Sequence, residues 1–342
     1  MKTAVKVLLA IAGSALIVGL AVGLCGLFML DFDFDAMQTQ NYEDVTHEVS
    51  GEFSDISIET IESSIEFRHS DDGTCYVDCM ESEYVTYSVS VQEGELKITA
   101  NDTRQWYHNI DIFNTQRQNM TVYLPLEAYE SLRIKSATGA VRVTPEFSFA
   151  DVDIDLNTGM VSWEANVAHS MKIKNRTGFV QIKNVTPDGM LLVENDTGRV
   201  SIEGVTAQGI KAETSTGKVI MTNTIAKESI RVKTSTGNAE FDACRAESLS
   251  AQARTGKVKL SDVVVTGLLQ VETSTGDVEI TACDAGQVDI ETDTGDVEGT
   301  FQSPKEVFAE SDTGRIRVPK STTGGRCDIV TDTGDIIIEF EE

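Results

Sequence analysis

The chain is poor in the side chains that usually carry chemistry. It has four histidines, His47, His69, His108 and His169, and six cysteines. No histidine stands near another, or near a cysteine, at metal-ligand spacing, so each is read as a structural or solvated residue. Cys75 and Cys79 fall four apart on one strand face, ~13 Å when extended, too far for a disulfide. A zinc site there would need two more ligands, and none is nearby in the sequence. The one suggestive constellation is acidic. Asp277, Asp293, Asp296, Asp312, Asp332 and Asp335 flank successive Thr-Gly pairs. If the pairs stack, these carboxylates come close, and a hard cation such as calcium would relieve their repulsion.

The elements that hold these residues are set by a repeat. Gly139, Gly159, Gly178, Gly198, Gly217, Gly237, Gly256, Gly276, Gly295, Gly314 and Gly334 each follow a threonine, at separations of 19 or 20 residues. Two places after these glycines stand Val141, Val161, Val180 and their equivalents, all apolar through to Ile336. Four places after, only Gly299 interrupts an apolar column. Five and seven places before the glycines run two more apolar columns, from Ile134 and Leu132 to Ile329 and Cys327. Polar residues fill most of the intervening positions. This is period-two alternation, one face in and one face out.

A short strand with one apolar face cannot bury it alone, but stacked coils bury it continuously. The expected fold is therefore all-β, a parallel β-solenoid of about eleven coils, ~50 Å long at ~4.8 Å per coil. Glycine suits each turn because it accepts positive φ. The turn threonines are expected to form a ladder along one edge. Residues 131–342 form this solenoid and 36–130 an irregular β-rich cap. In the cap, Ile56, Ile58, Ile65 and Phe67 resemble a degenerate coil, and Glu93-Gly94-Glu95 a hairpin turn. The far end is expected to close on Glu339, Phe340, Glu341 and Glu342, whose charges discourage further stacking.

Residues 1–35 are read as an anchor. No charge occurs from Val7 to Leu30. That run of 24 residues makes a helix of ~36 Å, enough to cross a bilayer core. Lys2 and Lys6 precede it, and Asp31, Asp33 and Asp35 follow, which keeps the N-terminus in the cytoplasm and exports the rest of the chain. A cleaved signal peptide would have a shorter apolar core and a small-residue cleavage site. Leu24 is too large to precede a lipidated Cys25. Ala15, Gly19 and Gly23 share four-residue spacing, a face through which two such helices can pair.

Charge narrows the partners. The chain holds 28 Lys plus Arg against 55 Asp plus Glu, a net charge of −27. Such a surface repels phosphate backbones, so nucleic acid is excluded and a cation or a basic protein patch is favoured.

The apolar anchor, Phe32-Asp33-Phe34, Asp102-Thr103-Arg104-Gln105-Trp106-Tyr107, the Thr-Gly repeats and Thr322-Thr323-Gly324-Gly325-Arg326-Cys327 give the chain a recognisable pattern. It resembles, over nearly its whole length, a bacterial β-strand-repeat family of unknown function whose members are provisionally called adhesins. Membrane-anchored members belong to Gram-positive envelope-stress operons. The resemblance implies a β-solenoid and an envelope location, and it carries over no catalytic residue.

Within this frame Cys244 and Cys283 both lie seven places after a turn glycine, two coils apart, at ~9–10 Å. All cysteines outside the anchor are thus expected to be free, buried thiols. Arg199, Lys218, Lys257 and Arg315 interrupt the acidic column, and the Gly-Gly-x-Gly-x-Asp pattern of calcium-binding β-rolls is absent. A solvated acidic edge is the expectation, with no cofactor. A polysaccharide-acting enzyme would need a cleft built on long loops, and the 19- or 20-residue spacing leaves none in the solenoid. Arg176, Arg254 and Trp163 are expected to decorate the surface. The chain reads as a non-enzymatic interaction module at the cell membrane, binding another envelope protein. Adhesion to a glycan or wall component, and self-assembly by end-to-end stacking, are the alternatives.

Overall fold

A computed structural model describes residues 3–29, 42–104 and 118–341. Phe32-Asp33-Phe34, Gln105-Trp106-Tyr107, His108 and the three aspartates after the anchor lie outside the described residues. The chain divides into two compact units. The smaller comprises Met1–Asp44, Glu81–Thr86 and Asn101–Arg117, and the larger the remainder.

In the smaller unit, α1 runs from Thr3 to Met29. Its side chains at Ile11, Leu16, Ile17, Val18, Leu20 and Val22 are all exposed. Among the described residues no helix counts as long and apolar enough to cross a membrane. The helical backbone itself extends over 27 residues. The helix expected from the sequence is thus present, whereas its spanning role is not supported by the described residues. Elsewhere in this unit, Arg104 donates to Asp102 at 2.6 Å, with both side chains largely covered.

The larger unit is a parallel β-solenoid. Its coils pair in register through each Thr-Gly: Thr158 opposite Thr177, Gly159 opposite Gly178, Val161 opposite Val180. The strands Ala128–Val143, Ser148–Trp163 and Asn166–Lys183 each run unbroken across their Thr-Gly. In these coils the pair is a bend in a continuous strand rather than a reversal; from Thr197 onward the strand stops at the threonine and the next begins three places later. A second corner lies six places later, where Asn184, Gly204, Asn223, Ala243, Asp262 and Ala282 all have φ between 49° and 64°. The sequence conceals this corner because asparagine, glycine, aspartate and alanine share no obvious pattern.

The four apolar columns form the core. Val161, Val180, Ile173, Leu191, Ile290 and Ile329 have no accessible surface. Gly299 breaks its column because a Cβ there would lie 2.1 Å from the Ile280 carbonyl oxygen. Trp163 corrects an expectation. It is fully buried, its Nε1–H donates to the Ala165 carbonyl at 2.8 Å, and its ring packs 5.6 Å from that of Phe149. Phe149 in turn meets Phe67 and Tyr129, so the first coils enclose an aromatic cluster. Trp163 occupies an ordinary core column; only its size made it look like surface decoration.

Both ends depart from sequential stacking. At the first end, Asp55–Thr60 pairs on one side with Ser131–Ser136 and on the other with Glu95–Thr99. Ser64–His69 pairs likewise with Asn119–Leu124. The expected degenerate coil is real, but it lies inside, between a later coil and the Gly139 coil. Tyr76–Cys79 then lies antiparallel along Met120–Tyr123 and covers that outer strand. Glu93 and Gly94, with φ of 53° and 81°, form the two-residue turn expected before Glu95.

The other end repeats the exchange. Cys327–Thr333 pairs with Val288–Thr294, and Ile336–Phe340 with Val297–Phe301. Lys305–Thr313 and Ile316–Arg317 lie on the far side of that last coil. The stack therefore runs Gly276, Gly295, Gly334, Gly314. The sequence expectation that Glu339–Glu342 closes the rod is wrong: Ile336 and Ile338 are buried inside, and the Gly314 coil is outermost. The stacking columns are chemically alike in every coil, so they do not encode the order of the last two.

Candidate functional site

Among the described residues, no three His, Cys, Asp or Glu side chains converge as metal ligands. The surface is marked by open depressions lined by outward polar residues, one of them bounded by Lys233, Gln252, Arg254 and Glu272.

The turn glycines form a backbone ladder. A Cβ on Gly159 would lie 1.6 Å from the Gly139 carbonyl oxygen, and one on Gly237 1.8 Å from that of Gly217. The glycines are thus required mainly by the approach of the adjacent coil, a stronger constraint than turn conformation. The eleven turn threonines beside them are all exposed, giving the expected ladder at one corner.

Inside that corner lies a second, polar ladder that sequence reading missed. Three places before the glycines, Asn175, Asn195, Thr234, Thr273, Thr292 and Thr331 are buried. Each donates to the turn-glycine carbonyl of the preceding layer: Asn175 to Gly159 at 3.2 Å, Thr234 to Gly217 at 3.3 Å, Thr331 to Gly295 at 3.2 Å. Their phase was readable, since they share the inward face of the apolar columns.

The six aspartates split into two columns. Asp277 accepts the Asp296 N–H at 3.3 Å, Asp296 the Asp335 N–H at 2.8 Å, and Asp335 the Arg315 N–H at 2.8 Å. That hydrogen bond and the Arg315 charge hold the Asp335 carboxyl below its ordinary value. Lys257 reaches Asp277 at 3.4 Å. Asp293, Asp312 and Asp332 face solvent two places before their glycines. The first column thus serves the backbone of the next coil, a role that needs no cation.

The remaining candidates stand apart. His169 lies 3.3 Å from Asp188 on the surface. Arg176 is exposed and 3.8 Å from Asp196, and Arg254 is exposed. On α1, nothing lies within 4 Å of a Cβ built on Gly19 or Gly23. Cys75, Cys79, Cys244, Cys283 and Cys327 are all buried thiols. Burial pushes the Cys244 and Cys283 thiols up to about 11 and those of Cys75 and Cys327 up to about 12.

A partly buried ion pair was not foreseen. The Lys305 side chain is 3 % exposed and its Nζ donates to Asp284 at 2.5 Å. Ser303 donates to the same carboxylate at 2.7 Å. Burial opposes the Asp284 carboxylate, but the Lys305 and Ser303 hydrogen bonds outweigh it and keep its carboxyl below the ordinary value. The pair pins the segment that carries the chain to the outermost coil.

No curated protein matches the chain. Among solved structures, it is similar to a candidate adhesin of Bacteroides fragilis, at 13% identity over 88% of this chain and 99% of that one, with a TM-score of 0.34. A candidate lipid-binding protein of Parabacteroides distasonis shares 14% identity over 88% and 98% of the two chains, with a TM-score of 0.36. A candidate cell-adhesion protein of Clostridium sporogenes shares 12% over 88% and 100%, with a TM-score of 0.22. The Toastrack DUF4097 family model matches residues 53–243 and 223–342, which together take in the whole solenoid. The chain belongs to the Toastrack DUF4097 family, a β-repeat family of unknown function.

Proposed function

We propose that the chain is a non-catalytic interaction module, held at the membrane by its N-terminal helix, whose solenoid binds another component of the cell envelope. The observation that carries this reading is the unbroken surface of the repeat. Eleven turns at 19- or 20-residue spacing present aligned columns of outward side chains without an inserted loop. Such a surface suits recognition, whereas catalysis needs converging acids, bases or nucleophiles in a cleft.

The anchor part of the reading rests on the sequence. The uncharged run from Val7 to Leu30 is flanked by Lys2 and Lys6 before and Asp31, Asp33 and Asp35 after. That arrangement favours one crossing with the solenoid outside the cytoplasm. In its specific form the module reports or relays envelope stress through a membrane partner.

The test is photo-crosslinking of the full-length protein in intact cells, followed by identification of what is captured. Recovery of a specific membrane protein, lost when the solenoid is deleted and the helix kept, supports the reading. Capture of only the chain itself, or only wall polymer, overturns it in favour of assembly or adhesion. Release of the full-length chain by alkaline carbonate would separately overturn the anchor.

A further inference from the structure

The two ends of the solenoid are finished differently. At the first end the outer strand Asn119–Leu124 is covered by an antiparallel strand of the same chain, with Tyr76 stacked on Tyr123 at 4.3 Å between ring centroids. At the other end, among the described residues, Lys305–Thr313 pairs only with Gly325–Thr333. Its second edge of backbone N–H and C=O groups has no strand beside it.

The consequence is visible in the core columns. Ile336 and Val297 are fully buried, whereas Ile316, the same position in the outermost coil, is 45% exposed. Val307 and Ala309 are half-buried where Cys327 and Ile329 below them are sealed. Phe308 is 46% exposed, its ring held 4.7 Å from the Arg326 guanidinium. An unprotected strand edge of this length is a template for pairing with another chain.

The occupant can be narrowed by geometry and charge. Ile316–Arg317 is only two residues long and is followed closely by Pro319, which has no N–H to donate. A whole second coil therefore cannot continue the stack, but a single strand can add along Lys305–Thr313. The outward residues of that strand are Glu306, Phe308, Glu310 and Asp312. Antiparallel self-pairing centred on Ala309 would set Glu306 against the second copy's Asp312, and like charges directly opposite destabilise a pair. An extended segment with lysine or arginine alternating with apolar residues would instead meet three carboxylates and the exposed Phe308 ring.

We propose that Lys305–Thr313 is a β-augmentation site for a basic, extended segment of a partner protein, which lies antiparallel as Tyr76–Cys79 does at the first end. The inference deepens the interaction-module reading by naming where and what the solenoid binds. It stands independently of the membrane anchor.

The probe is a nine-residue peptide in which lysines alternate with valines around a central tyrosine, added to the full-length chain in detergent micelles. Amide exchange should slow specifically across 305–313. Affinity should fall at least tenfold for the Glu306→Lys, Glu310→Lys, Asp312→Lys triple variant and for Phe308→Lys, with circular dichroism unchanged. A shuffled peptide of the same composition, its lysines contiguous, controls for attraction to a chain of net charge −27. Equal binding of the shuffled peptide, or protection elsewhere, overturns the proposal. So does a chain that sediments as a dimer with 305–313 already protected, because the occupant is then a second copy. Failure at this site leaves the cellular crosslinking test of the general reading intact.

Discussion

Gly334 lies directly on Gly295, although Gly314 separates them in sequence: a Cβ on Gly334 would stand 2.0 Å from the Gly295 carbonyl oxygen. Gly314 in turn lies on Gly334, where a Cβ would meet that carbonyl at 1.9 Å. The last coil in sequence is thus clamped between two others. The same arrangement holds Asp55–Thr60 inside the first end. Placing each terminal coil second from the end shields its core face on both sides.

The glycine ladder predicts a sharp intolerance. Gly237→Ala drives a methyl group into the Gly217 carbonyl, which is held in place by the Gly217 N–H bond to the Thr236 carbonyl and by the Thr234 hydroxyl. The expected cost is about 3–5 kcal/mol, as for severe overpacking. Gly73→Ala is the control. Its φ is +72°, and nothing lies within 4 Å of the added Cβ, so the cost should be only the ~1 kcal/mol of a left-handed alanine. Urea unfolding midpoints measure both, and equal losses would mean that conformation rather than close approach requires the ladder.

The second corner predicts gains. Ala243 and Ala282 adopt φ of 51°, where Asn184, Asn223, Asp262 and Gly204 stand in equivalent coils. Alanine in this region is strained, while glycine is not. Ala282→Gly and Ala243→Asn should each stabilise by about 0.5–1 kcal/mol. A lower unfolding temperature for either would show that the methyl group contributes packing worth more than the strain.

What the sequence made legible follows from burial. Val141 to Ile336 and Leu132 to Cys327 are uniformly apolar because all but Ile316 and Val307 of the outermost coil are buried between neighbouring layers, so alternation located the fold and its core. The buried threonines and asparagines lay in the same phase but were masked by their polarity. Stacking order was illegible, because Ile336 packs as well on Val297 as Ile316 would. The candidate surface at Lys305–Thr313 could not be read before that order was known.

The Lys305–Asp284 pair should fix the outermost coil. Lys305→Met leaves a carboxylate without its cation, at an expected cost of about 1–3 kcal/mol, reduced from the fully buried case by the 34% exposure of Asp284. The Asp284 carboxyl is lowered in the folded state, so its contribution is full above the unfolded value of about 4 and is lost as pH falls through the folded value. Stability measured from pH 6 down to 2 should therefore fall less steeply in Asp284→Asn, from a lower starting point. Parallel curves would exclude this pair as a source of acid sensitivity.

The buried thiols predict silence. Cys244 and Cys283 have thiols raised to about 11, and Cys75 and Cys327 to about 12, all by burial. At pH 8 none offers an accessible thiolate. Alkylation in the folded state should leave the five solenoid cysteines unmodified in mass spectra, and all five should react in denaturant. Rapid modification of Cys327 in the folded state would show that the last coil opens.

The inner ladder allows the most discriminating test, because one member is orphaned. Thr234 Oγ1 donates to the Gly217 carbonyl at 3.3 Å, while Thr214 Oγ1, at the same position one coil earlier, is buried with no partner. Valine has nearly the shape of threonine, so replacing either mainly removes the hydroxyl. Thr234→Val should cost about 1 kcal/mol, the usual net value of one hydrogen bond. Thr214→Val removes a polar atom that burial already penalises, and should be neutral or stabilising by up to ~1 kcal/mol. Ala253 holds the equivalent place in the Gly256 coil, between Thr234 and Thr273. Ala253→Thr should therefore gain stability if its hydroxyl reaches the Gly237 carbonyl. Denaturant midpoints for the three variants separate the cases. An equal loss for Thr214→Val and Thr234→Val would mean that the column is held by methyl packing and that its hydrogen bonds contribute nothing net.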